Sequence, residues 1–462
     1  MRARQWAVGS LWISLYAALS LAPLAFVLIS SRASEAPRPF WTELSVGLGF
    51  VGLAMMGLQF ALTARFGWLK APFGSDIIYA FHRTISMVAV ALVLAHPIIL
   101  FATRWETMLQ RPFTHPWPFW TGTLSILCLL WIVIVSVWRT RLRIGYDQWR
   151  RAHAALAVLA VTAAIVHVLF IGHYLAAPWQ RAFWLIYTLA FVGLILYVRV
   201  IKPIIELRRP WEIVAATPQR GDATTLTLRP VGHPGFAFAP GQFAWLTVGD
   251  SPFSDREHPF SFSGSAEAAL PNAQPHPTIE FTIKSLGDWT ARVQHATPGT
   301  RVYVDGPFGA LSADRHPDAE ALALFAGGIG ITPMLSHIRT FRDRADPRPI
   351  WLFYAARDWN TLTYREELEQ LRASLPTLRI LYVLSSTDGL PASSPPIPAV
   401  QGLITPDLIR AHAPDLAELI TRRRRVECFI CGPTPMMEAV EKHLAALGVP
   451  LGDYHCERFN LV

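Results

Sequence analysis

The sequence predicts a multi-domain fold: a six-helix transmembrane bundle, then an antiparallel β-barrel domain, then an α/β nucleotide-binding domain of Rossmann-like type. Three observations predict it. Long apolar runs are concentrated in the first 200 residues, although 52% of the whole chain is hydrophobic. Short alternating runs separated by turn residues follow, and from about residue 321 strands alternate with helices. We place the domains at residues 1–207, 208–312 and 313–462.

Six apolar runs are long enough to span a bilayer. They cover about 9–30, 44–64, 79–101, 119–138, 152–172 and 183–201. The first run follows basic residues, as in a signal peptide, but its length and the lack of a small-residue cleavage site favour a retained span. We therefore expect an integral protein of the lipid bilayer.

The Lys and Arg residues near the spans are distributed unequally. Twelve fall on one side of the predicted bundle and five on the other, and the richer side is expected to be cytoplasmic. This places both termini and the soluble half, residues 208–462, in the cytoplasm of a cell with a bacterial-type inner or plasma membrane. The same clustering accounts for the net charge of +8, so we predict no nucleic-acid partner.

The four cysteines do not form a metal-cluster pattern. Cys428 and Cys431 make a C-x-x-C motif inside an apolar strand pattern, and no second pair accompanies it. These are too few and too poorly spaced for a ferredoxin-type iron–sulfur cluster. Free buried thiols in a reducing compartment are the better interpretation.

Two predicted spans carry histidines at the same spacing. His82 and His96 are fourteen residues apart in the third span, and His153 and His167 are fourteen apart in the fifth. Fourteen residues make nearly four turns, so both rings on one helix face the same side, about 21 Å apart. The intervening residues include no Trp, Phe or Tyr, which leaves space for porphyrin planes.

These histidines have two interpretations. They are metal ligands, with His82 and His153 holding one haem near the cytoplasmic face and His96 and His167 holding another near the outer face. Alternatively, they are isolated intramembrane histidines whose nitrogen atoms bond to neighbouring helices. Four polar groups at two matched spacings are costly in a bilayer and favour ligation. Pro97 follows one ligand and is expected to bend the helix there.

Three segments of the predicted barrel carry groups that suit a flavin nucleotide. They are Pro240-Gly-Gln-Phe243, His258-Pro-Phe-Ser-Phe-Ser263 and Ile283-Lys-Ser-Leu-Gly-Asp-Trp-Thr290. The second offers an aromatic ring and a hydroxyl group. The third offers a glycine turn, free backbone N–H groups and a helix start at Asp288, which suit a pyrophosphate. Each segment alone is also explained as a strand followed by a turn.

A dinucleotide site is predicted in the last domain. The buried strand Ala321–Ala326 runs into Gly327-Gly-Ile-Gly-Ile-Thr-Pro-Met334, with Pro333 in the first helical turn. The motif is not G-x-G-x-x-G, but its strand–glycine–helix context is that of a dinucleotide site. Further strands are expected at 349–357, 378–386 and 426–431, and the last leads into Cys431-Gly-Pro-Thr-Pro-Met436.

The order of these motifs resembles the ferredoxin–NADP reductase superfamily. With the repeated histidine pairs, residues 44–459 resemble the ferric reductase and NADPH oxidase family. The resemblance implies FAD, two b-type haems, and NADPH or NADH as cofactors. It implies that the flavin ring and ribityl chain contact His258, Pro259, Phe260 and Ser261, and that the FAD phosphates contact Gly287, Asp288, Trp289 and Thr290. It further implies that the nicotinamide nucleotide's phosphates contact Gly327, Gly328, Gly330, Thr332 and Pro333, and its nicotinamide Cys431, Gly432 and Pro433.

The resemblance also implies two catalytic residues. Phe459 would stack on the flavin and swing away when the nicotinamide arrives, and Cys431 would flank that nicotinamide. Three residues follow Phe459, whereas many relatives end on the aromatic, so packing of its ring in the domain core stays an alternative. Arg357, at the end of a predicted strand, would pair with a 2′-phosphate and favour NADPH, although Asp358 beside it opposes this preference.

The resemblance implies that electrons pass from cytoplasmic NAD(P)H through FAD and both haems to an acceptor on the outer side. Ferric iron, free or chelated, is slightly favoured over dioxygen. Animal NADPH oxidases form a polar oxygen pocket with a histidine where this chain has Leu100, and with an arginine in the second span, where this chain has none before Arg65. An alternative is an electron-transfer subunit or redox sensor that donates electrons to a membrane or periplasmic partner protein.

Overall fold

The computed structural model describes residues 2–32, 38–65, 75–110, 115–175, 177–254, 256–273, 276–391 and 395–458. The chain divides into two compact units that separate close to residue 203. The first unit is helical, and the second contains two six-stranded sheets.

The first unit confirms the predicted transmembrane bundle. Its long helices are α1 (Arg2–Arg32), α2 (Phe40–Thr63), α3 (Ser75–Gln110), α4 (Trp117–Val137), α5 (Tyr146–Ile171) and α6 (Pro178–Leu196). A π-helical turn (Tyr197–Ile201) continues α6 into the short α7 (Lys202–Leu207). All six long helices contain an apolar stretch long enough to cross a membrane.

Aromatic packing holds part of this bundle together. Phe50 of α2 meets Trp184 of α6 edge-on, with ring centroids 4.6 Å apart, and Phe26 of α1 stacks on Phe183 at 4.6 Å. The backbone of α2 approaches α6 closely at Gly57, where an added Cβ would lie 2.0 Å from the Phe191 ring. Small residues that admit such close approach are a common means of packing helices in membranes.

Helix α3 keeps helical dihedral angles through Pro97, and its non-helical angles occur at Arg104 (φ −137°, ψ 29°). The bend expected at the histidine before Pro97 stays a prediction, because a bent helix can keep helical angles. A proline removes one backbone hydrogen bond, which a membrane helix can tolerate when neighbouring groups compensate. The group that Pro97 leaves without this bond is the carbonyl oxygen of Val93, whereas the Ser45 hydroxyl donates to the carbonyl oxygen of His96 at 2.8 Å.

The first sheet is antiparallel and curled, as expected for the flavin domain. Its order is β4-β3-β6-β1-β2-β5, and an isolated bridge between Phe262 and Phe281 joins its outer ends. The strands are β1 (Trp211–Gln219), β2 (Ala223–Pro230), β3 (Phe243–Val248), β4 (His258–Ser261), β5 (Ile279–Lys284) and β6 (Arg301–Phe308), and α8 (Asp288–Val293) follows β5. Strand β4 contains Pro259, which edge strands tolerate.

The second sheet is parallel, with order β10-β9-β8-β7-β11-β12. Its strands are β7 (Ala321–Gly327), β8 (Ile350–Ala356), β9 (Leu378–Leu384), β10 (Ala399–Gln401), β11 (Val426–Cys431) and β12 (Tyr454–Cys456). Its helices are α9 (Ile331–Asp343), α10 (Arg365–Ser374), α11 (Pro406–His412), α12 (Pro414–Thr421) and α13 (Thr434–Ala446). Hydrophobic cores lie on both faces, as a parallel sheet requires.

The strand order places a ligand-binding crevice. From β7 the chain proceeds outward through β8 and β9 to β10, and it then returns to place β11 on the other side of β7. This reversal is a topological switch point, where open α/β sheets bind their ligands beyond the carboxyl ends of the strands. The predicted glycine-rich turns follow these same two strands, β7 and β11.

The cysteines are free, as predicted. Cys428 packs in the core on one face of the parallel sheet and Cys431 in the core on the other. Residues three apart in a strand point to opposite faces, so this C-x-x-C motif cannot present both sulfur atoms to one metal.

Candidate functional site

The structure brings each predicted histidine pair together between α3 and α5. The ring centroids of His82 and His153 are 6.4 Å apart, and those of His96 and His167 are also 6.4 Å apart. With metal–nitrogen bonds of about 2.0–2.1 Å, two axial imidazoles on one metal ion have their centroids about 6.4 Å apart. Both separations therefore fit a single iron between the rings.

Hydrogen bonds orient the imidazoles of His96 and His167. The Nδ1 atom of His167 donates to the carbonyl oxygen of Pro118 at 2.8 Å. The Nδ1 atom of His96 lies 2.9 Å from the Ser45 hydroxyl oxygen and 3.1 Å from the Ser45 carbonyl oxygen. Because that hydroxyl proton already goes to the His96 carbonyl, His96 Nδ1 is the donor. In both rings the lone pair is left on Nε2, the arrangement of a metal-ligating histidine.

The other pair has a less complete set of partners. His153 Nδ1 lies 3.3 Å from the hydroxyl oxygen of Ser136, to which Trp149 Nε1 also donates at 3.1 Å. His82 Nδ1 is buried and has no hydrogen-bond partner among the described residues. Burying an imidazole nitrogen without a hydrogen-bond partner lowers the stability of the folded state. Binding of a group to the other nitrogen of the ring would add favourable free energy and offset part of that loss.

Glycines of neighbouring helices back the second pair. A Cβ at Gly49 of α2 would lie 3.2 Å from Cγ of His96, and one at Gly122 of α4 would lie 2.7 Å from Nδ1 of His167. Each imidazole is thus held against backbone on one side. The four histidines fit the chemistry and the spacing of two haem irons, and this ligand role is proposed below.

The predicted flavin segments contact each other. His258 and Phe260 of β4 face Trp289 of α8, with ring centroids 4.2 and 5.6 Å from that of Trp289. Pro259 lies between them, partly buried, and Ser261 is buried at the end of β4. The structure therefore joins the His-Pro-Phe-Ser and Gly-Asp-Trp-Thr motifs into one surface.

The turn before α8 differs from its prediction. The Thr290 hydroxyl oxygen accepts the backbone N–H groups of Leu286 at 2.9 Å and Gly287 at 3.0 Å, and the hydroxyl donates to the Gly287 carbonyl at 2.8 Å. The expectation of free backbone donors at this turn is wrong for these two groups, because a threonine at the third helical position caps the turn. Gly287 and Asp288 are exposed there.

Glycine allows the two nucleotide loops to touch. A Cβ at Gly330 would lie 2.2 Å from the carbonyl oxygen of Cys431, and one at Gly327 would lie 2.8 Å from Cδ of Pro433. Gly432 and Gly327 approach through their backbones, with 3.0 Å between the Cβ position of one and Cα of the other. The two loops therefore form one wall at the switch point.

The remaining residues of the glycine loop have defined positions. Gly328 has φ +55° and open space around its Cβ position, so a ligand can approach its backbone. The Thr332 hydroxyl donates to the carbonyl oxygen of Ile329 at 3.0 Å, and Pro333 is buried in the first turn of α9.

Cys431 is buried beside an acidic residue that the sequence interpretation missed. Burial, with the Glu457 carboxylate nearby, raises the pKa of the Cys431 thiol, so the thiol is neutral at pH 7. Glu457 itself is only 2% exposed, and a Cβ at Gly309 would lie 2.9 Å from its oxygen atoms. Its only signal in the sequence was its position two residues before Phe459.

Arg357 is placed to meet a ligand. It is exposed immediately after β8, and within the described part of the chain its guanidinium makes no ion pair. The adjacent Asp358 carboxylate accepts the backbone N–H groups of Asn360 and Thr361, both at 3.0 Å, so it caps a turn instead of neutralising Arg357. Phe459 lies outside the described residues.

Two family models match the chain, one in each half. Residues 48–164 match a ferric reductase like transmembrane component, a range that contains three of the four paired histidines and ends three residues before His167. Residues 324–442 match an oxidoreductase NAD-binding domain, a range that contains both glycine loops and Arg357.

Curated relatives are reductase components. The reductase component of propane 2-monooxygenase from Mycolicibacterium goodii is 28% identical over 263 residues, which are 56% of this chain and 69% of that protein. The glycine betaine monooxygenase reductase subunit of Chromohalobacter salexigens is 29% identical over 231 residues, 49% of this chain and 57% of that protein.

Solved structures with similar folds include two oxidoreductases. The Amycolatopsis cytochrome P450 reductase GcoB has a TM-score of 0.44 and 21% identity over 54% of this chain and 69% of its own. The flavohemoglobin of Malassezia yamatoensis has a TM-score of 0.46 and 18% identity over 96% of this chain and all of its own.

The curled antiparallel sheet and the parallel α/β domain have the architecture of ferredoxin–NADP reductases, which implies that FAD and NAD(P)H bind. Together with the ferric reductase-like bundle, this makes the protein a membrane oxidoreductase, and both family-model matches agree with the predicted resemblance to the ferric reductase and NADPH oxidase family.

Proposed function

We propose that this protein carries electrons across a membrane from NAD(P)H to an acceptor on the opposite side, through FAD and two b-type haems. FAD supplies the conversion from a two-electron donor to single electrons, and each haem iron carries one electron at a time. The observation that supports the proposal most directly is the equal 6.4 Å ring separation in two histidine pairs. In this proposal His82 with His153 and His96 with His167 are the axial ligands.

The assignment of each domain follows from this proposal. Residues 208–312 bind FAD, with β4 and α8 forming its surface, and residues 313–462 bind NAD(P)H at the switch point. The dehydrogenase half faces the cytoplasm of a bacterial-type cell, and the His96–His167 pair lies near the outer face. The protein residues position the cofactors and orient the imidazoles, and electron transfer itself requires no acid or base from the chain.

Ferric iron, free or chelated, is the acceptor we favour slightly over dioxygen. Leu100, one turn beyond His96 in α3, offers an aliphatic side chain where an oxygen-reducing pocket would need a polar one. A second candidate is electron donation to a partner protein, which the relatives favour because their names describe reductase components of monooxygenases.

A reduction experiment tests the proposed function. Purified in detergent, the protein should show a low-spin b-type spectrum with about two haems per chain, and NADPH or NADH alone should reduce it under anaerobic conditions. Steady consumption with ferric citrate, with oxygen, or with neither then separates the acceptors. Fast haem reduction with negligible turnover on both would indicate a partner protein. A protein without haem would contradict the proposal.

Replacement of Arg357 should alter nucleotide preference. Arg357→Ala should raise the KM for NADPH by about 10- to 100-fold, because a charge-assisted contact to a phosphate contributes roughly 1.5–3 kcal/mol, while the KM for NADH changes little. Steady-state oxidation of each nucleotide measures the two KM values. Arg410→Ala, which removes an exposed arginine of α11 in the same domain, is the matched control. Equal effects of Arg357→Ala on both nucleotides would remove Arg357 from this role.

We consider two environments for the Phe459 ring, and one substitution distinguishes between them. If its ring covers the flavin, Phe459→Ser should strengthen nicotinamide binding and change the hydride-transfer rate with little loss of stability. If the ring packs in the domain core, the same change should cost about 3–5 kcal/mol and FAD would be lost during purification. Stopped-flow flavin reduction together with a thermal melt distinguishes these outcomes, and a destabilised, flavin-depleted variant would exclude the first environment.

A further inference from the structure

A cluster of two histidines and one glutamate lies in the parallel α/β domain, apart from the cofactor residues described above. Glu427 is the second residue of β11 and is 0% exposed. His455 is the middle residue of β12, and His316 lies in the connection between β6 and β7. One potential ligand atom from each of the three residues lies within 4.8 Å of the others.

Both imidazoles converge on the same carboxylate. His455 Nε2 lies 2.7 Å from one Glu427 oxygen atom, and His316 Nδ1 lies 3.3 Å from the other. The two rings are also close to each other, with centroids 4.3 Å apart. Ligands of a tetrahedral metal ion with bonds of about 2.0–2.2 Å are separated by only a little over 3 Å, so small side-chain shifts complete the set.

We propose that His316, Glu427 and His455 bind one divalent transition-metal ion, and that zinc is the best match. Two imidazole nitrogens with one carboxylate oxygen are a ligand set that zinc uses, with water completing the coordination. Calcium and magnesium prefer sets made of oxygen atoms, which this cluster does not offer. The side chain of His455 is 22% exposed, so an ion can enter from solvent.

The arginine beside the cluster is compatible with this site. Arg425 Nε lies 3.1 Å from Glu427 Oε1, and its Nη1 atom lies 2.8 Å from a carboxylate oxygen of Asp318. The guanidinium charge is therefore shared between two carboxylates. Glu427 Oε2 points toward His455 and stays available to a metal ion while Oε1 keeps its contact with Arg425.

Metal binding would stabilise the pairing of a short edge strand. Strand β12 has three residues, and among the described residues it pairs only with β11; in the sequence it is followed by Phe459. An ion held by His455 and Glu427 adds a link between the two strands, and His316 adds one to the connection before β7. Because structural metal sites stabilise the folded state that forms them, the bound ion should raise thermal stability.

Zinc content tests the proposal. The full-length, haem-loaded protein, purified with a tag that contains no histidine, is treated with EDTA, incubated with ZnCl2 and desalted, and zinc is measured per chain. Wild type should retain one zinc ion. The double variant His316→Gln/His455→Gln should retain at least about tenfold less, whereas His412→Gln, which replaces an exposed histidine of α11, should retain as much as wild type.

A thermal melt of wild type keeps the test informative if the double variant does not fold. Excess ZnCl2 over EDTA should raise the Tm of wild type, and MgCl2 should not. Either of two results overturns the proposal: wild type that retains no more zinc than the folded double variant, or a wild-type Tm that zinc does not raise. In that case the two imidazoles only donate hydrogen bonds to a buried carboxylate.

Discussion

His96→Ala should reduce the haem content from about two per chain to about one and abolish delivery of electrons to an external acceptor. The reason is geometric: His96 and His167 face each other at 6.4 Å, and an alanine leaves His167 as the only ligand of its pair. Loss of an orienting partner alone typically costs 10- to 100-fold in metal affinity or activity, so loss of the ligand should lower turnover by about 100-fold or more. The reduced pyridine haemochrome spectrum and steady-state acceptor reduction measure the two effects.

The remaining pair provides the internal comparison. In His96→Ala the His82–His153 pair is intact, so NADPH should still reduce the haem that remains. His82→Ala should behave differently, because the pair nearer the proposed entry of electrons is broken and NADPH should no longer reduce the other haem. His115→Ala is the matched control, since His115 stacks on Phe119 at 4.3 Å and belongs to neither pair. Unchanged haem content in both ligand variants would exclude the proposed ligation.

The paired histidines could be predicted because their signal is local and periodic. A spacing of fourteen residues on an apolar helix fixes which side of the helix carries both rings, and it does not depend on the rest of the fold. The partners of those rings could not be predicted. Ser45 is 51 residues from His96 and Pro118 is 49 residues from His167, and such contacts arise only when helices pack.

In the soluble half, too, features with a local sequence pattern could be predicted, and contacts that arise from packing could not. Strands with a continuous apolar pattern, such as 426–431, were predicted with their observed bounds, since burial on both faces determines their composition. The edge strand β10 has only three residues, too few to form a pattern. The sequence also gave no indication that the Thr290 hydroxyl takes the backbone donors of Leu286 and Gly287, because the same hydroxyl could have faced solvent.

Arg339 joins the two parts of the dehydrogenase half. It lies on α9 of the α/β domain, and its Nη1 atom donates to Glu280 Oε2 at 2.6 Å and to the carbonyl oxygen of Ser263 at 2.9 Å, both in the flavin domain. Its Nε and Nη2 atoms hold Glu367 of α10 in a bidentate pair, at 2.7 and 2.8 Å. The guanidinium also lies over the ring of Tyr364, 5.3 Å from its centroid.

Arg339→Met should therefore lower the free energy of unfolding by about 3 kcal/mol, the lower end of the range for breaking a buried ion pair. Only 14% of the Arg339 side chain is exposed, and its two carboxylate partners are 27% and 29% exposed. Removal of the cation leaves both carboxylates partly desolvated and without their partner. Because the lost contacts join the flavin-binding and nucleotide-binding domains, flavin reduction by NADPH should slow as well. A thermal melt and stopped-flow flavin absorbance measure the two effects.

Arg342→Met is the control for Arg339→Met. It tests whether the loss of stability comes from the contacts of Arg339 or from the removal of an arginine in general. Arg342 lies one turn further along the same helix, its side chain is 43% exposed, and it pairs only with the neighbouring Asp343 among the described residues, so its replacement should change stability by less than about 1 kcal/mol. Arg339→Lys should give an intermediate result, because an ammonium group keeps the charge but cannot bridge both carboxylates with a planar fork. If Arg339→Met and Arg342→Met destabilise equally, the bridge does not hold the domains together. If Arg339→Met melts early while its flavin is reduced at the wild-type rate, the bridge stabilises the fold without positioning the nucleotide.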